Sequence, residues 1–265
     1  MDASATAEAI RLAYNRSAAA WALGPDVLYG RLAEAMLTAV PLTLAGARVL
    51  DLGAGTGVAG RAAIAAGASQ VVAVDIAEHM LRTALGESGG LVPPVVADAI
   101  HLPFADGSFD IVCAAFCLGH LPDPVAALRE TRRVGRSVVA SAFAAGWTHP
   151  AKAVVEDALS ELGYTAPAWH VELKDHHEPQ IGDPERLTLA ATAAGFAPVE
   201  VATMPVRSGL STPADMVRWR LGMAHLAPFV QALAPADLER ARLAAEAALV
   251  GAPSPVVPIL VLAAS

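Results

Sequence analysis

Three aspartates follow three short apolar runs of the sequence, in positions that suggest a shared ligand. Asp51 ends ARVLD, Asp75 ends QVVAVD and Asp98 ends PVVAD. Apolar runs without alternation are typical of strands buried on both faces of a parallel sheet. Carboxylates at the ends of such strands accept hydrogen bonds from hydroxyl and amine groups. We therefore expect these acids to bind a ligand that carries such groups.

A glycine-rich stretch follows the first acid. Gly53, Gly55 and Gly57 occupy every second position, and the next residues, VAGRAAIAAG, are typical of a helix. Glycine tolerates positive φ in a tight turn and lets a ligand approach the backbone closely. Strand, glycine loop and helix in this order predict the first βα turn of a nucleotide-binding sheet. Its ligand is expected at the carboxyl end of the strand, over the N-terminus of the helix.

The same glycines allow a second interpretation. Gly55, Gly57 and Gly60 fit G-x-G-x-x-G, and Asp75 lies 18 residues beyond Gly57, close to the spacing of a dinucleotide fingerprint. The acid before the glycines and the acid that ends PVVAD disfavour this interpretation, because three carboxylates repel a pyrophosphate. One acid for a cationic or amine group, one for a ribose and one for an exocyclic amine suit an adenosyl amino acid better.

These residues require a scaffold of alternating strands and helices. Residues 2–40 are predicted to be helical, and prolines around the last predicted strand favour a sheet edge or a strand start. The alternation predicts an α/β fold with a doubly wound, mostly parallel sheet. Beyond the three runs above, its strands are expected at residues 110–117, 137–143, 199–206 and 256–262.

Composition disfavours several classes of protein. The 265 residues carry a formal net charge of −8, which disfavours a nucleic-acid partner. Without a run of about 18 apolar residues, we expect no membrane span, and MDASATAEAI does not resemble a secretory signal. Cys113 and Cys117 have no second ligand pair nearby, so buried thiols in a reducing cytoplasm are expected. A small-molecule ligand is therefore favoured.

Four motifs together resemble those of class I S-adenosylmethionine-dependent methyltransferases: VLDLGAGTG, VVAVDIAEHML, ADAIHLPFADGSFDIV and FCLGHLPDPVAALRETRRV. The chain resembles the small-molecule branch that includes the ubiquinone and menaquinone biosynthesis type (methyltransferase type 11), closely over about residues 46–145. The resemblance implies S-adenosylmethionine as cofactor and S-adenosylhomocysteine as product. It also implies a Rossmann-like, seven-stranded domain at 46–265, a helical cap at 1–45, and acceptor-lid insertions at about 144–182 and 207–250.

The resemblance implies a role for individual residues of these motifs. The glycine loop would approach the methionine moiety, with Asp51 near its amino group or a neighbouring water. Asp75 would accept both ribose hydroxyls, and Asp98 would accept from the adenine amine. Ile76 and Met80 would enclose the adenine, with core packing as the alternative for both and a helix cap as the alternative for Asp75. The implied cofactor residues are Asp51, Gly53, Ala54, Gly55, Gly57, Asp75, Ile76, Met80, Asp98, Ala99 and Phe116.

The acceptor half of the reaction is harder to predict. Methyl transfer from a sulfonium is an in-line displacement, so alignment is the main contribution of the protein. A base is needed only where the acceptor holds a proton of high pKa. His120 is the first candidate base, with a structural role in its loop as the alternative, and His149 is the second. Residues expected at the acceptor are Tyr14, Trp21, Trp147, Trp219 and Met223.

Further polar residues lie beyond the motifs. His170, His176 and His177 fit H-x5-H-H with acids nearby, but charged loops are usually solvated surface, so no metal site is predicted. Arg218 and Arg220 are likewise interpreted as part of a solvated face.

The predicted function is methyl transfer to oxygen, nitrogen or carbon of a small, largely apolar acceptor, in secondary-metabolite or quinone-type biosynthesis. One alternative is a cyclase or other biosynthetic catalyst of the same fold that retains the cofactor without methyl transfer. A NAD-dependent oxidoreductase and a non-catalytic binding protein are the others.

Overall fold

The computed structural model describes residues 3–39 and 42–265. Within these ranges, no helix has both the length and the apolarity needed to cross a membrane. Helices and strands alternate over most of the chain, as predicted. In order they are α1 (Ala3–Leu23), α2 (Pro25–Thr38), β1 (Arg48–Leu52), α3 (Val58–Ala65), β2 (Gln70–Asp75), α4 (Glu78–Glu87), β3 (Pro94–Val96), β4 (Phe109–Ala115), α5 (Pro124–Val134), β5 (Gly135–Phe143), α6 (Pro150–Ser160), α7 (Ala168–Glu172), α8 (Pro184–Ala193), β6 (Val199–Arg207), α9 (Pro213–Leu221), α10 (Ala227–Ala232), α11 (Pro235–Ala248) and β7 (Val256–Ala264).

The strands form one seven-stranded sheet in the order β3-β2-β1-β4-β5-β7-β6. Strands β1 to β5 pair in parallel, whereas β7 is antiparallel to both of its neighbours. The predicted Rossmann-like, doubly wound and mostly parallel sheet is therefore confirmed. The strand order reverses between β1 and β4, and ligands of such sheets bind at the carboxyl ends of the strands at that point.

Strand β7 lies inside the sheet, between β5 and β6. Two of the prolines that suggested an edge, Pro253 and Pro255, precede the strand, so they do mark its start. The third, Pro258, lies within β7 opposite Pro205 of β6. Because the two prolines lie opposite each other, the N–H donors that proline lacks are missing at only one point of the hydrogen bonding between β6 and β7. The expectation of an edge position was wrong for this reason.

Consecutive strand residues pack on opposite faces of the sheet. Val49 packs in the apolar cluster that contains side chains of α2 and α3, whereas Leu50 packs in the cluster that contains side chains of α5 and α8. Both residues are fully buried. Helices on both faces thus explain why the strands read as unbroken apolar runs.

The N-terminal helices pack directly on the rest of the molecule. Ile10 and Trp21 of α1 share an apolar cluster with Met80 of α4 and with α7. At the corner between α1 and α2, a Cβ on Gly24 would lie 2.4 Å from the carbonyl oxygen of Arg218 in α9. The lack of a side chain at this corner therefore lets the backbones of the two segments touch.

Candidate functional site

A cavity of about 440 Å³ lies at the carboxyl ends of β1, β2 and β4. Residues that follow each of these strands form its floor, and Thr6, Ile10 and Tyr14 of α1 form part of its wall. Its volume lies in the range of small-molecule sites. The predicted residues that line it are Gly53, Ala54, Gly55, Asp75, Ile76, Met80, Asp98, Ala99, Phe116, His120, Tyr14 and Trp21.

Two glycines of the loop after β1 have different structural reasons for being glycine. Gly55 has a φ of 55°, and a Cβ there would meet no atom within 4 Å. Its backbone therefore borders open space in the cavity, which leaves room for a ligand to approach. Gly53 has a φ of 64°, and a Cβ there would lie 2.4 Å from Sγ of Cys117. At Gly53 the group that approaches the backbone closely is the side chain of Cys117 rather than a ligand.

Asp75 is the half-buried carboxylate of the cavity. Its Oδ2 accepts a hydrogen bond from the backbone N–H of Gly55, and its Oδ1 accepts one from Ala77, each at 2.8 Å. Burial raises the pKa of Asp75, and the backbone donors oppose this rise. A carboxylate has about four lone-pair positions. Two protein donors therefore leave acceptor capacity for a diol, as the ribose of S-adenosylmethionine presents.

The neighbouring lining suits a flat heterocycle. Met80 is buried and Ile76 lies partly exposed beside it in the cavity lining. Asp98 is exposed at the other side, where its Oδ1 accepts from the N–H of Ile100 at 3.1 Å. Strand β3 ends at Val96 rather than at Asp98, so this acid stands in the loop after the strand. Apolar contacts beside a carboxylate fit an adenine with its exocyclic amine.

Two predicted cofactor residues, Asp51 and Gly57, do not line the cavity. Asp51 is 1% exposed, its Oδ2 accepts from the N–H of Gly60 at 2.7 Å, and burial raises its pKa to about 7. Gly57 is the N-cap of α3 with a φ of 81°, and a Cβ there would lie 2.8 Å from Cβ of Ala84. In the structure Asp51 therefore holds the first turn of α3, and Gly57 lets this turn pack on α4.

A hydrogen-bonded pair, Tyr14 and His120, stands in the cavity wall. Nδ1 of His120 lies 3.0 Å from the carbonyl oxygen of Phe116, and Nε2 lies 2.7 Å from the hydroxyl of Tyr14. A carbonyl only accepts, so Nδ1 carries the proton. Burial lowers the pKa of His120, which keeps the ring neutral, and raises the pKa of Tyr14 well above its usual value. The Tyr14 hydroxyl therefore donates to Nε2.

The backbone of Phe116 orients this pair. Strand β4 ends at Ala115, and Phe116 has a φ of 56°, alone among the non-glycine residues that the structure describes. Its N–H donates to the carbonyl of Ser141 in β5 at 3.1 Å, while its own carbonyl accepts from His120. Non-glycine residues in this conformation are strained and cluster at functional sites.

His177 is a cavity residue that the sequence analysis assigned to a solvated loop. It is 6% exposed, lines the cavity, and its Nδ1 donates to the carbonyl of His120 at 3.2 Å. It ends a π-helical turn, Leu173–His177, and such turns are frequent at functional sites. His170 stacks instead on His225 with ring centroids 3.8 Å apart. The histidines of H-x5-H-H thus belong to different environments.

Aromatic rings extend from the cavity into the core. Trp21 contacts Tyr29, which also lines the cavity, with ring centroids 4.9 Å apart. Beyond them, Phe143 stands 6.0 Å from Trp147, and Trp147 stands 6.2 Å from Trp219. The predicted acceptor residues that lie behind the wall rather than in it are Trp147, Trp219 and Met223.

His149, the second candidate base, is a helix cap. Its Nδ1 accepts from the N–H of Ala151 at 3.2 Å, and its Nε2 lies 2.9 Å from the carbonyl oxygen of Pro253. It is 8% exposed and does not line the cavity. Because Pro150 begins α6, the residue before it takes the N-cap position. The structure thus places His149 at the start of α6, outside the cavity.

Comparison with known proteins gives the family. A methyltransferase domain family matches residues 50–139. The chain is 35% identical over 210 residues to a demethylmenaquinone methyltransferase of Clavibacter sepedonicus, covering 74% of this chain and 83% of the relative. It is 41% identical over 110 residues to a ubiquinone/menaquinone biosynthesis C-methyltransferase of Cupriavidus pinatubonensis, covering 38% and 45%.

Solved structures share the fold. A phosphoethanolamine N-methyltransferase 2 of Haemonchus contortus, in complex with phosphomonomethylethanolamine and S-adenosylhomocysteine, matches with a TM-score of 0.54 at 21% identity, over 88% of this chain and 52% of that one. The [4+2]-cyclase SpnF matches with a TM-score of 0.55 at 21% identity, over 89% and 80%. The fold thus hosts more than one chemistry, whereas the relative at 35% identity is a methyltransferase. This chain belongs to the family of S-adenosylmethionine-dependent methyltransferases.

Proposed function

We propose that this methyltransferase acts on a ring-bearing, largely apolar acceptor of the hydroquinone type, with Tyr14 and His120 handling its proton. The observation that carries the proposal is the hydrogen bond of 2.7 Å between the two side chains, with a tautomer fixed by Phe116. The names of the demethylmenaquinone methyltransferase relatives support the class of acceptor. The rings of Trp21, Tyr29 and Phe116 support its apolar character.

On this proposal, the cofactor residues act as follows. S-adenosylmethionine, when bound, supplies a methyl group activated by a sulfonium. Gly55 offers its open backbone to the methionine moiety, and Asp75 accepts from the ribose hydroxyls with the lone pairs that its two backbone donors leave free. Asp98 accepts from the adenine amine, beside the apolar surface of Met80. These contacts hold the donor, so that alignment with the acceptor accounts for most of the rate.

The Tyr14–His120 pair increases the electron density of the acceptor. A ring hydroxyl of the acceptor gives its proton to the oxygen of Tyr14 while the Tyr14 proton moves to Nε2 of His120. The electron pair then reaches the neighbouring ring carbon, which forms a C–C bond to the methyl group as the S–C bond breaks. The ring carbon loses its proton, the ring oxygen regains one from the pair, and the hydroquinone is restored with one proton released.

The two insertions predicted as acceptor lids, at about 144–182 and 207–250, remain part of this proposal. The first contributes His177 to the lining of the methyl-transfer cavity. Its imidazole donates to the His120 backbone through Nδ1, so its Nε2 is available to accept a hydrogen bond from the acceptor. The helices α1 and α2 add Tyr14, Trp21 and Tyr29 to the same lining, whereas no residue of 207–250 lines this cavity.

The test is methylation of naphthalene-1,4-diol, kept reduced, with S-adenosylhomocysteine and the methylated product both quantified. We expect turnover by the wild type and a loss of kcat of about 100-fold in His120→Gln and in Tyr14→Phe, the size usual for a general base. S-adenosylhomocysteine affinity should stay within about threefold, since neither side chain is proposed to bind the cofactor. His101→Gln, at an exposed histidine outside the cavity, is the matched control.

Three results would contradict the proposal. Turnover confined to highly charged acceptors would contradict the proposed apolar class of acceptor. Full activity of both variants would contradict the proposed role of the Tyr14–His120 pair in proton transfer. A product isomeric with its substrate, formed while S-adenosylmethionine stays undiminished, would favour the cyclase alternative.

A further inference from the structure

A second cavity, of about 370 Å³, lies on the other side of α1. Ala9, Leu12, Ala13 and Arg16 of α1 form one wall, and none of its lining residues lines the methyl-transfer cavity. The two predicted lid segments supply the rest. Their contributions are Gly163, Tyr164, Thr165, Pro167, Trp169, Ala224, His225, Pro228 and Phe229.

Three aromatic side chains, Tyr164, Trp169 and Phe229, line this second cavity. Tyr164 and Phe229 meet edge to face with ring centroids 5.4 Å apart, and Trp169 is 7% exposed beside them. Such walls suit a flat, apolar ring, because aromatic pairs gain from offset or edge contacts. The hydroxyl of Tyr164 donates to the carbonyl of His225 at 3.4 Å, so its position is tied to the polar end of the cavity.

That polar end is His225, backed by an ion pair between the buried Arg220 and the partly exposed Glu156. Nη2 of Arg220 lies 2.5 Å from Oε1 of Glu156 and 3.2 Å from Nε2 of His225, whereas Nε2 and Oε1 are 3.6 Å apart. A guanidinium only donates, so Nε2 of His225 accepts from it. Burial lowers the pKa of His225 to about 4, so the ring is neutral and its proton is on Nδ1. His225 therefore presents one N–H donor.

The surrounding groups favour an oxygen acceptor for that donor. Nδ1 of His225 has no hydrogen-bond partner within residues 3–39 and 42–265. Arg220 is 4% exposed and Trp219 is 2% exposed, yet Nε of Arg220 and Nε1 of Trp219 are sealed without any partner in the described chain. Neither of these two residues lines the second cavity, so the N–H of His225 is the donor that a ligand there can reach. An incoming carbonyl or phenolate oxygen would accept a hydrogen bond from it.

We propose that the second cavity binds a planar, apolar ring compound whose carbonyl or phenolate oxygen accepts a hydrogen bond from Nδ1 of His225. The proposal rests on the proposed function only for the choice of a quinone as probe. The site lies across α1 from Tyr14, so it is a binding site separate from methyl transfer. A ligand in the second cavity would lie against α1, the helix that carries Tyr14.

The test is the stoichiometry of 1,4-naphthoquinone, which needs no turnover, on full-length protein saturated with S-adenosylhomocysteine. We expect two sites per chain by equilibrium dialysis, with quenching of Trp169 at one. Ala9→Trp fills the second cavity and should leave one site, whereas Ala19→Trp, on the exposed face of α1, should leave two. His225→Phe keeps the ring and should weaken one site by about tenfold, the effect of losing one hydrogen bond to a polarised donor.

The outcomes separate this inference from the proposed function. If the wild type has a single site and Ala9→Trp removes it, the inference stands. The same result contradicts the proposal that the methyl-transfer cavity takes an apolar acceptor. A single site that Ala9→Trp leaves intact overturns the inference, as does a second site whose affinity for naphthoquinone is unchanged in His225→Phe. Naphthalene, which lacks the oxygens, should bind equally to the wild type and His225→Phe. Unchanged S-adenosylhomocysteine affinity shows that each variant is folded.

Discussion

Replacing Asp75 by Asn should weaken S-adenosylhomocysteine binding by about 30-fold. The carboxylate already serves the N–H groups of Gly55 and Ala77 at 2.8 Å each, and its remaining lone pairs are proposed to serve the ribose. Asn turns one oxygen into an NH₂ donor and removes the charge, so one charge-assisted hydrogen bond, worth about 2 kcal/mol, is lost. The NH₂ group of Asn must face the N–H of Gly55 or of Ala77, so one backbone hydrogen bond is also lost, and Tm is measured to show that the variant remains folded.

Calorimetric titration at neutral pH measures this effect, with Asp110→Asn as the matched control. Asp110 pairs with Arg48 at the opposite end of β1 and is partly exposed, so its loss should leave binding unchanged. Binding by the wild type should also weaken as the pH falls toward the raised pKa of Asp75. An Asn variant that binds within threefold of the wild type refutes the ribose contact. An equal loss of affinity in Asp110→Asn would show that the weaker binding comes from the change in net charge.

The remaining predictions concern the glycine loop and Asp51. Gly55→Ala should weaken S-adenosylhomocysteine binding at least tenfold with little change in Tm, because its Cβ enters open cavity space at a strain of about 1 kcal/mol. Gly53→Ala should instead lower Tm, because its Cβ meets Cys117. Equal changes in Tm for the two variants would contradict this reasoning. The folded pKa of Asp51 lies above its unfolded value, so its contribution to stability is present below about pH 4 and lost as the pH rises through about 7. From pH 5 to pH 8, urea unfolding should show the wild type losing about 3 kcal/mol more than Asp51→Asn, and parallel pH profiles would contradict the raised pKa.

The sheet was predictable because its signals are local. Strands buried on both faces give unbroken apolar runs, so β2 matches its predicted range of 70–75. The place of β7 was not predictable in the same way, since insertion between β5 and β6 depends on pairing with distant strands. The contact of Pro258 with Pro205, which makes a central position tolerable, joins residues more than fifty positions apart.

The site was predictable where a motif fixes both a residue and its direction. Asp75 is the last residue of β2, Asp98 follows β3, and both reach the cavity. Asp51 lies within β1, and its carboxylate accepts from the N–H of Gly60 instead. Sequence spacing gives no means to distinguish these directions. The same limit applies to Trp147, which the ring of Phe143 separates from Phe116 in the cavity wall.

Burial of polar residues was the least predictable feature. His177 reaches the cavity through a π-helical turn, for which the sequence carries no signal. Arg220 was assigned to a solvated face, yet it is 4% exposed because Glu156 and His225 accept its hydrogen bonds. Both partners come from outside α9, so a helical pattern alone does not reveal them.

The left-handed backbone of Phe116 has a consequence for how this sequence was selected. Glycine or asparagine adopts that conformation at less cost, and a phenylalanine there gives up about 1 kcal/mol of stability. The same ring is 7% exposed and packs on Tyr29 and Phe143, and burial of such a side chain contributes more stability than the strain costs. The strained turn is therefore retained because the ring that it carries belongs to both the core and the cavity wall.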